Sequence, residues 1–346
     1  MKRRIEDRLE ELCRKYGYAR YKMIRFEEYE LYVRNKDFLL SDRVITFSGP
    51  DGRLLAMKPD VTLSIIKNAP EAAGAVRKVH YRENVYRQDR DSGEFREILQ
   101  AGLECVGDVG FYETAEVVYL AAKSLEALGG QTILSLSHVG LIRHALEESG
   151  LPESAGQQAL DCLGQKREQE LRKLCRDHGA REELLLALLG ARSIEDLSPL
   201  LDETNDSWRE LRQIVDLLDS RGCADRVRLD FSLGNDMKYY SGLVFKGYAQ
   251  GLHTHILSGG QYDLLLRKMG KNARAIGFAV YLDQLEQIGG GSDVDTLLLC
   301  GDAAPAEILA AVEELPGTVL AAKAIPPERT YRRLAELVNG EVRYLA

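Results

Sequence analysis

Between Arg87 and Glu104, polar residues recur at strand spacing where an apolar sheet face would be expected. The segment reads as a strand, a charged turn and a returning strand. On the returning strand Gln100 and Glu104 stand an even number of residues apart, so the two-residue period of a strand turns both side chains to one face. A carboxylate and an amide directed into a sheet-lined pocket, with Arg87 from the partner strand, suit a small zwitterion carrying amino, carboxylate and ring N–H groups. An exposed edge hairpin with solvated charges is the plainer alternative.

At 346 residues the chain is too long for one ordinary core, and two or three domains are expected. Its 46 basic and 54 acidic residues leave a net charge of −8, which disfavours a large phosphate-backbone footprint. No apolar run approaches the roughly 20 residues of a membrane span. The opening Met1-Lys-Arg-Arg-Ile-Glu-Asp reads as the start of an amphipathic helix and not as a signal sequence, so a cytoplasmic location is expected. Six cysteines (Cys13, Cys105, Cys162, Cys175, Cys223, Cys300) include no Cys-x-x-Cys pair, so reduced thiols are expected, with neither disulfide framework nor zinc knuckle.

Along the chain, Ile5, Leu9, Leu12 and Cys13 mark one face of a helix over 3–16 that Gly17 ends. Strands are predicted at 20–26 and 43–46, then a turn at Gly49-Pro-Asp-Gly. Pro59 breaks the next strand and admits a helix over 61–67, which puts Asp60 and Thr62 at a strand-to-helix junction; Asp60 there is also a plain helix cap. A helix follows over 113–128. From 142 to 225 the chain turns dense in Leu, Glu, Arg and Gln at helical spacing, and strand signal returns after Arg226. The reading is one antiparallel core, 1–141 and 226–288, split by a helical insertion, 142–225. After a flexible Gly289-Gly-Gly-Ser joint, 292–346 reads as a small α/β unit in the order strand, helix, strand, helix.

Five motifs in order resemble the histidyl-tRNA synthetase family. Met57-Lys-Pro-Asp-Val-Thr is similar to its Leu-Arg-Pro-Glu-x-Thr, and Val85-Tyr-Arg through Gln100-Ala-Gly-Leu-Glu to class II motif 2. Tyr239-Tyr-Ser-Gly-Leu-Val-Phe is similar to the end of the Arg-Gly-Leu-Asp-Tyr-Tyr-Thr-Gly signature, Gly259-Gly-Gln-Tyr-Asp to Gly-Gly-Arg-Tyr-Asp, and Ala275-Ile-Gly-Phe-Ala-Val-Tyr-Leu-Asp-Gln-Leu to motif 3. The resemblance implies an α+β fold of the class II aminoacyl-tRNA synthetase kind: a six- or seven-stranded antiparallel sheet flanked by helices, and a two-fold dimer around motif 1. It also implies a histidine site. Asp60, Thr62 and Gln100 would hold the α-amino group, Arg87 would face the α-carboxylate, and Glu104, Tyr240 and Tyr262 would surround the imidazole.

The departures lie on the ATP side. Asn235 stands where the signature has its arginine, Gln284 where motif 3 has one, and Lys238 replaces an aspartate; apart from these, Ile24 replaces the motif 1 proline, a departure that bears on the dimer geometry. Losing one charged donor to a reacting phosphorus costs on the order of 3 kcal/mol, so losing two should leave no useful adenylate chemistry. A histidine site without that chemistry resembles the paralogues that serve as regulatory subunits of ATP phosphoribosyltransferase. The resemblance implies a non-catalytic chain, no cofactor, no tRNA, a short-form phosphoribosyltransferase catalytic subunit as partner, and allosteric feedback by histidine in the first step of histidine biosynthesis. Two alternatives stay open: a divergent histidyl-tRNA ligase, and a synthetase-like assembly scaffold without ligand. His253 and His255 read as exposed hairpin residues and not as a metal site. With Gln284 in place of the motif 3 arginine, Arg87, Arg90 and Arg96 are not expected to retain affinity for a nucleotide phosphate.

Overall fold

The structure is a computed structural model that describes residues 2–36, 44–69, 74–88, 93–236, 239–285, 294–326 and 329–345. The side chains of 2–4 and 234–236 are not part of that description, so the expectation for Asn235 falls outside it. So do those for Arg90, Lys238 and the Gly289 joint.

The chain divides into two compact units, Lys2–Gln284 and Leu285–Ala346. The larger unit is built on an eight-stranded sheet. Its strands are β1 (Ala19–Arg20), β5 (Val76–Gln88), β6 (Phe95–Gly107), β7 (Thr132–His138), β8 (Val227–Leu229), β9 (Leu243–Ala249), β10 (Leu257–Gln261) and β11 (Arg274–Tyr281). Their order is β1-β5-β6-β11-β10-β9-β7-β8. The six strands from β5 to β7 run antiparallel, and only the short edges β1 and β8 pair parallel. The sheet is therefore wider than the expected one and mixed at its rims. The predicted 20–26 strand is two pieces, β1 and β2 (Phe26–Glu28), because the chain leaves the large sheet after Arg20. There β2 joins a second, three-stranded sheet with β3 (Thr46–Ser48) and β4 (Leu54–Met57).

Each sheet face has its own cover. One carries α1 (Lys2–Lys15) and α4 (Phe111–Leu128), whose Leu125 lies against the backbone of Gly247. The other packs Val79, Tyr81, Val106 and Ala275 against α3 (Thr62–Lys67), α10 (Asp263–Lys268) and the small sheet, in a core with Ile65, Ile66 and Leu265. Alternation along β5 and β6 makes this two-sided burial possible: even and odd positions of one strand serve different cores.

Between β7 and β8 run α5 (Val139–Ser149), α6 (Glu153–Gly164), α7 (Glu168–His178), α8 (Glu183–Gly190) and α9 (Asp206–Ser220). In α9, Trp208, Leu211, Ile214 and Leu218 form the buried stripe, and Asn205 caps the first turn by accepting the Trp208 amide at 3.0 Å.

In the smaller unit β12 (Val294–Leu299) lies parallel to β13 (Val319–Ala322) and β14 (Tyr331–Val338), with α11 (Pro305–Glu314) over Leu298, Ala335 and Leu337. The predicted last helix is instead the antiparallel pair β14 and β15 (Glu341–Tyr344). Asn339 and Gly340, at φ 51° and 80°, make the two-residue turn whose positive φ angles match strand twist.

Candidate functional site

Strand register assembles the site. Glu104 lies opposite Gly277 on β11 and Val79 on β5, and Gln100 opposite Tyr281 and Glu83. Both polar residues are buried, at 2% and 3% exposure, so the exposed-hairpin alternative does not hold for them.

Two hydroxyls hold the Glu104 carboxylate. Thr62 at the start of α3 donates to Oε1 at 2.7 Å, and the Tyr262 phenol, just before α10, donates to Oε2. Room for the carboxylate comes from Gly277, where a Cβ would fall 1.7 Å from Oε2. Burial pushes the Glu104 carboxyl up from 4.5 to about 8; the two hydroxyl bonds pull it down and the charge of Asp60 adds to the rise. Burial and the neighbouring Glu104 likewise raise the Tyr262 phenol well above its ordinary value.

Asp60 caps α3, accepting the Leu63 amide at 2.9 Å, while its other oxygen lies 3.9 Å from Arg87. Burial raises its carboxyl, against the Arg87 charge and the amides of Leu63 and Thr62. Arg87 is held in place: its Nε donates to the Pro59 carbonyl at 2.8 Å and its guanidinium bonds the Tyr281 phenol. The Gln100 amide makes no hydrogen bond to a described residue and so keeps its donors and acceptor for another partner. Tyr240 joins through aromatic contact, its ring edge-on to Tyr239 at 4.6 Å, and Tyr239 in turn lies 6.2 Å from Tyr262. Thr62, Glu104 and Tyr262 thus form one bonded group and Asp60 with Arg87 a second, with Gln100 on the same strand face as Glu104 and Tyr240 joined through its ring contact with Tyr239.

Several contributors escaped the sequence reading. Lys58, 3% exposed, pairs with Glu83 on β5, and Glu83 also accepts the Met23 amide at 3.2 Å. Glu83 has the same parity as Arg87, the signal that could have found it. Tyr281 closes the motif 3 strand in the row of Gln100. Behind the site, Gln261 is locked by accepting the Leu243 amide at 2.7 Å and donating to Glu210 at 3.3 Å; Glu210 also lies 3.0 Å from His138. That network ties α9 to the strand that delivers Tyr262.

Gln284 ends a 3-10 turn after β11 and accepts the Thr254 hydroxyl at 3.3 Å. His253 is exposed as expected, but His255 is not. It is half-buried edge-on to Tyr248 and Tyr281, at 6.5 and 5.6 Å, because the loop folds back on the sheet. Burial first, then the charge of Lys246, pushes its imidazole down to about 4. Among the described residues, no three His, Cys, Asp or Glu side chains are grouped to hold a metal ion, and no helix is long and apolar enough to cross a membrane.

The family model described as histidyl-tRNA synthetase matches residues 1–285. An ATP phosphoribosyltransferase regulatory subunit of Caldanaerobacter subterraneus subsp. tengcongensis is 30% identical over 307 residues, covering 82% of this chain and 77% of that protein. A histidine-tRNA ligase of Archaeoglobus fulgidus is 29% identical over 305 residues, covering 82% and 71%. Among solved structures, the ATP phosphoribosyl transferase (HisG:HisZ) complex from Thermotoga maritima holds a chain of similar fold, with TM-score 0.67, 18% identity and coverage of 82% and 97%.

Proposed function

The chain belongs to the histidyl-tRNA synthetase family, and from that premise we propose that it is a non-catalytic regulatory subunit of ATP phosphoribosyltransferase that senses histidine. The observation that carries the reading is the buried Thr62–Glu104–Tyr262 group beside an unbonded Gln100 amide. A carboxylate fixed at both oxygens can accept an imidazole N–H, and the phenols of Tyr262 and Tyr240 can serve the other ring nitrogen. Asp60, Thr62 and Gln100 take the ammonium group, and Arg87 the carboxylate. An apolar side chain of similar size would leave Glu104 without its partner, which is how such a site discriminates.

The ATP side supports a loss of adenylate chemistry: the neutral Gln284 is engaged with Thr254, where the family's motif 3 has an arginine. Regulation requires that histidine bind one state of the hetero-oligomer more tightly than another, since equal affinities shift nothing. The partner in this reading is a short-form catalytic subunit, the chain itself dimerises, and the complex is cytoplasmic. The 142–225 helices act as an insertion in the synthetase-like core, and 292–346 as a separate small unit.

ATP–pyrophosphate exchange with histidine tests the proposal, together with co-purification against a short phosphoribosyltransferase. Co-purification without exchange is the expected result. Robust exchange would favour the ligase reading, to which the Archaeoglobus relative lends support.

A further inference from the structure

Tyr262, whose phenol meets Glu104, follows directly on Gln261, the last residue of β10. Strand alternation turns the Gln261 side chain to the α4 face of the sheet and the next residue to the Glu104 face. A hold on Gln261 is therefore a hold on the backbone that delivers the phenol.

That hold is made of buried groups that leave one another little choice. Gln261, 3% exposed, accepts the Leu243 amide at 2.7 Å through Oε1, so its amide nitrogen is the atom turned to Oε1 of Glu210 at 3.3 Å and to the Thr114 hydroxyl at 3.4 Å. His138, 4% exposed, accepts the Gly140 amide at 3.1 Å through Nδ1, which puts its proton on Nε2, 3.0 Å from the other Glu210 oxygen. Glu210 on α9 is the common acceptor of two fixed donors. Burial raises its carboxyl, but the bonds from His138 and Gln261 outweigh burial and hold it below its ordinary value. Two glycines admit the arrangement: a Cβ at Gly242 would fall 1.9 Å from Oε1 of Gln261, and one at Gly140 would fall 2.1 Å from the Ser207 hydroxyl on α9.

We infer that Glu210 is a positioning residue for the histidine site: gripped by His138 and Gln261, it fixes the end of β10 and with it the Tyr262 phenol against Glu104. Since α9 lies in the insertion between β7 and β8, the geometry of the site depends on a segment outside the strands that carry it. The inference takes its ligand from the function proposed above, and its ligand-free readout from the Glu104–Tyr262 bond alone.

Exchanging the two side chains tests it. Glu210→Gln opposes two amide nitrogens, because His138 still requires an acceptor; Gln261→Glu opposes two carboxylates. The swap Glu210→Gln/Gln261→Glu sets a donor against an acceptor again at both contacts. Two readouts on the full chain follow: histidine affinity by calorimetry, and the titration midpoint of the Glu104 carboxyl by carbon-13 NMR without ligand. Burial raises that carboxyl to about 8 against the pull of the Tyr262 bond, so loosening the bond moves the midpoint further up. Both single variants are expected to weaken histidine about tenfold and to raise the Glu104 midpoint, and the swap to return affinity to within about twofold of wild type. Should one single variant not fold, the other and the swap carry the comparison. A role confined to stability would lower the melting temperature and leave both readouts in place; that result overturns the inference, as does a swap no better than the single variants. If the wild-type chain binds no histidine, the proposed function fails, and the Glu104 midpoint alone decides the positioning.

Discussion

Thr62 donates its hydroxyl to Oε1 of Glu104 at 2.7 Å across 42 positions of sequence, so the helix start after Pro59 and the open end of the β5–β6 hairpin meet at one carboxylate. With Tyr262 on the other oxygen, the group is fixed before any ligand arrives. Preorganisation of this kind lowers the ordering cost of binding.

Removing either end of the arrangement should weaken histidine binding. Calorimetry is expected to give a loss of about 1 to 3 kcal/mol for Tyr262→Phe and for Glu104→Ala, as a buried polar partner is lost. Wild-type affinity in both variants would mean that the pocket is misassigned.

Glu104 also sets a pH dependence. Its carboxyl is raised from 4.5 to about 8, so the native chain holds a proton that the unfolded chain releases between those values. Its contribution to stability is fully present below about 4.5 and is lost as pH rises through about 8. Urea unfolding across that range should show a decline that Glu104→Gln removes. Binding has its own window: free imidazole titrates near about 6.5, so between there and about 8 protein and ligand together bring one proton to share. Affinity should be highest in that interval and flatten with pH in Glu104→Gln.

Gly277→Ala probes the space behind the carboxylate. The added methyl would lie 1.7 Å from Oε2 of Glu104 and 2.5 Å from the Leu103 carbonyl, which is backbone and cannot swing aside. Overpacking of this kind costs about 1 to 3 kcal/mol in stability. Both the melting temperature and histidine affinity should fall, whereas Gly156→Ala, in open space on α6, should leave affinity intact.

The Lys58–Glu83 pair is buried, at 3% and 15% side-chain exposure. Lys58→Met strands the Glu83 carboxylate and should cost about 3 to 5 kcal/mol in denaturant unfolding. The double variant Lys58→Met/Glu83→Leu should recover most of that loss; no recovery would show that Lys58 acts through something other than the pair.

The sequence made the Glu104 face legible because strand parity is local: Gln100 and Glu104 needed only an even spacing. The α3 junction was equally plain from Pro59. Less visible were residues whose role depends on register between distant strands. Tyr281 meets Arg87, and Glu83 meets Lys58, only once β5, β6 and β11 align. His255 was misjudged because its burial comes from a loop folding onto Tyr281, a contact that composition does not encode. The last strand pair failed for a different reason: Tyr331–Val338 contains helix-compatible Leu, Ala and Glu, yet Asn339-Gly340 carried the hairpin signal in two residues.

The account rests most directly on the rate of phosphoribosyl transfer by a short catalytic subunit, measured with this chain present and histidine increasing. It predicts that the chain supports the rate, that histidine lowers it, and that Tyr262→Phe moves the inhibition curve to about 5- to 150-fold higher histidine. A rate indifferent to the chain, or an inhibition curve that Tyr262→Phe leaves in place, would contradict it.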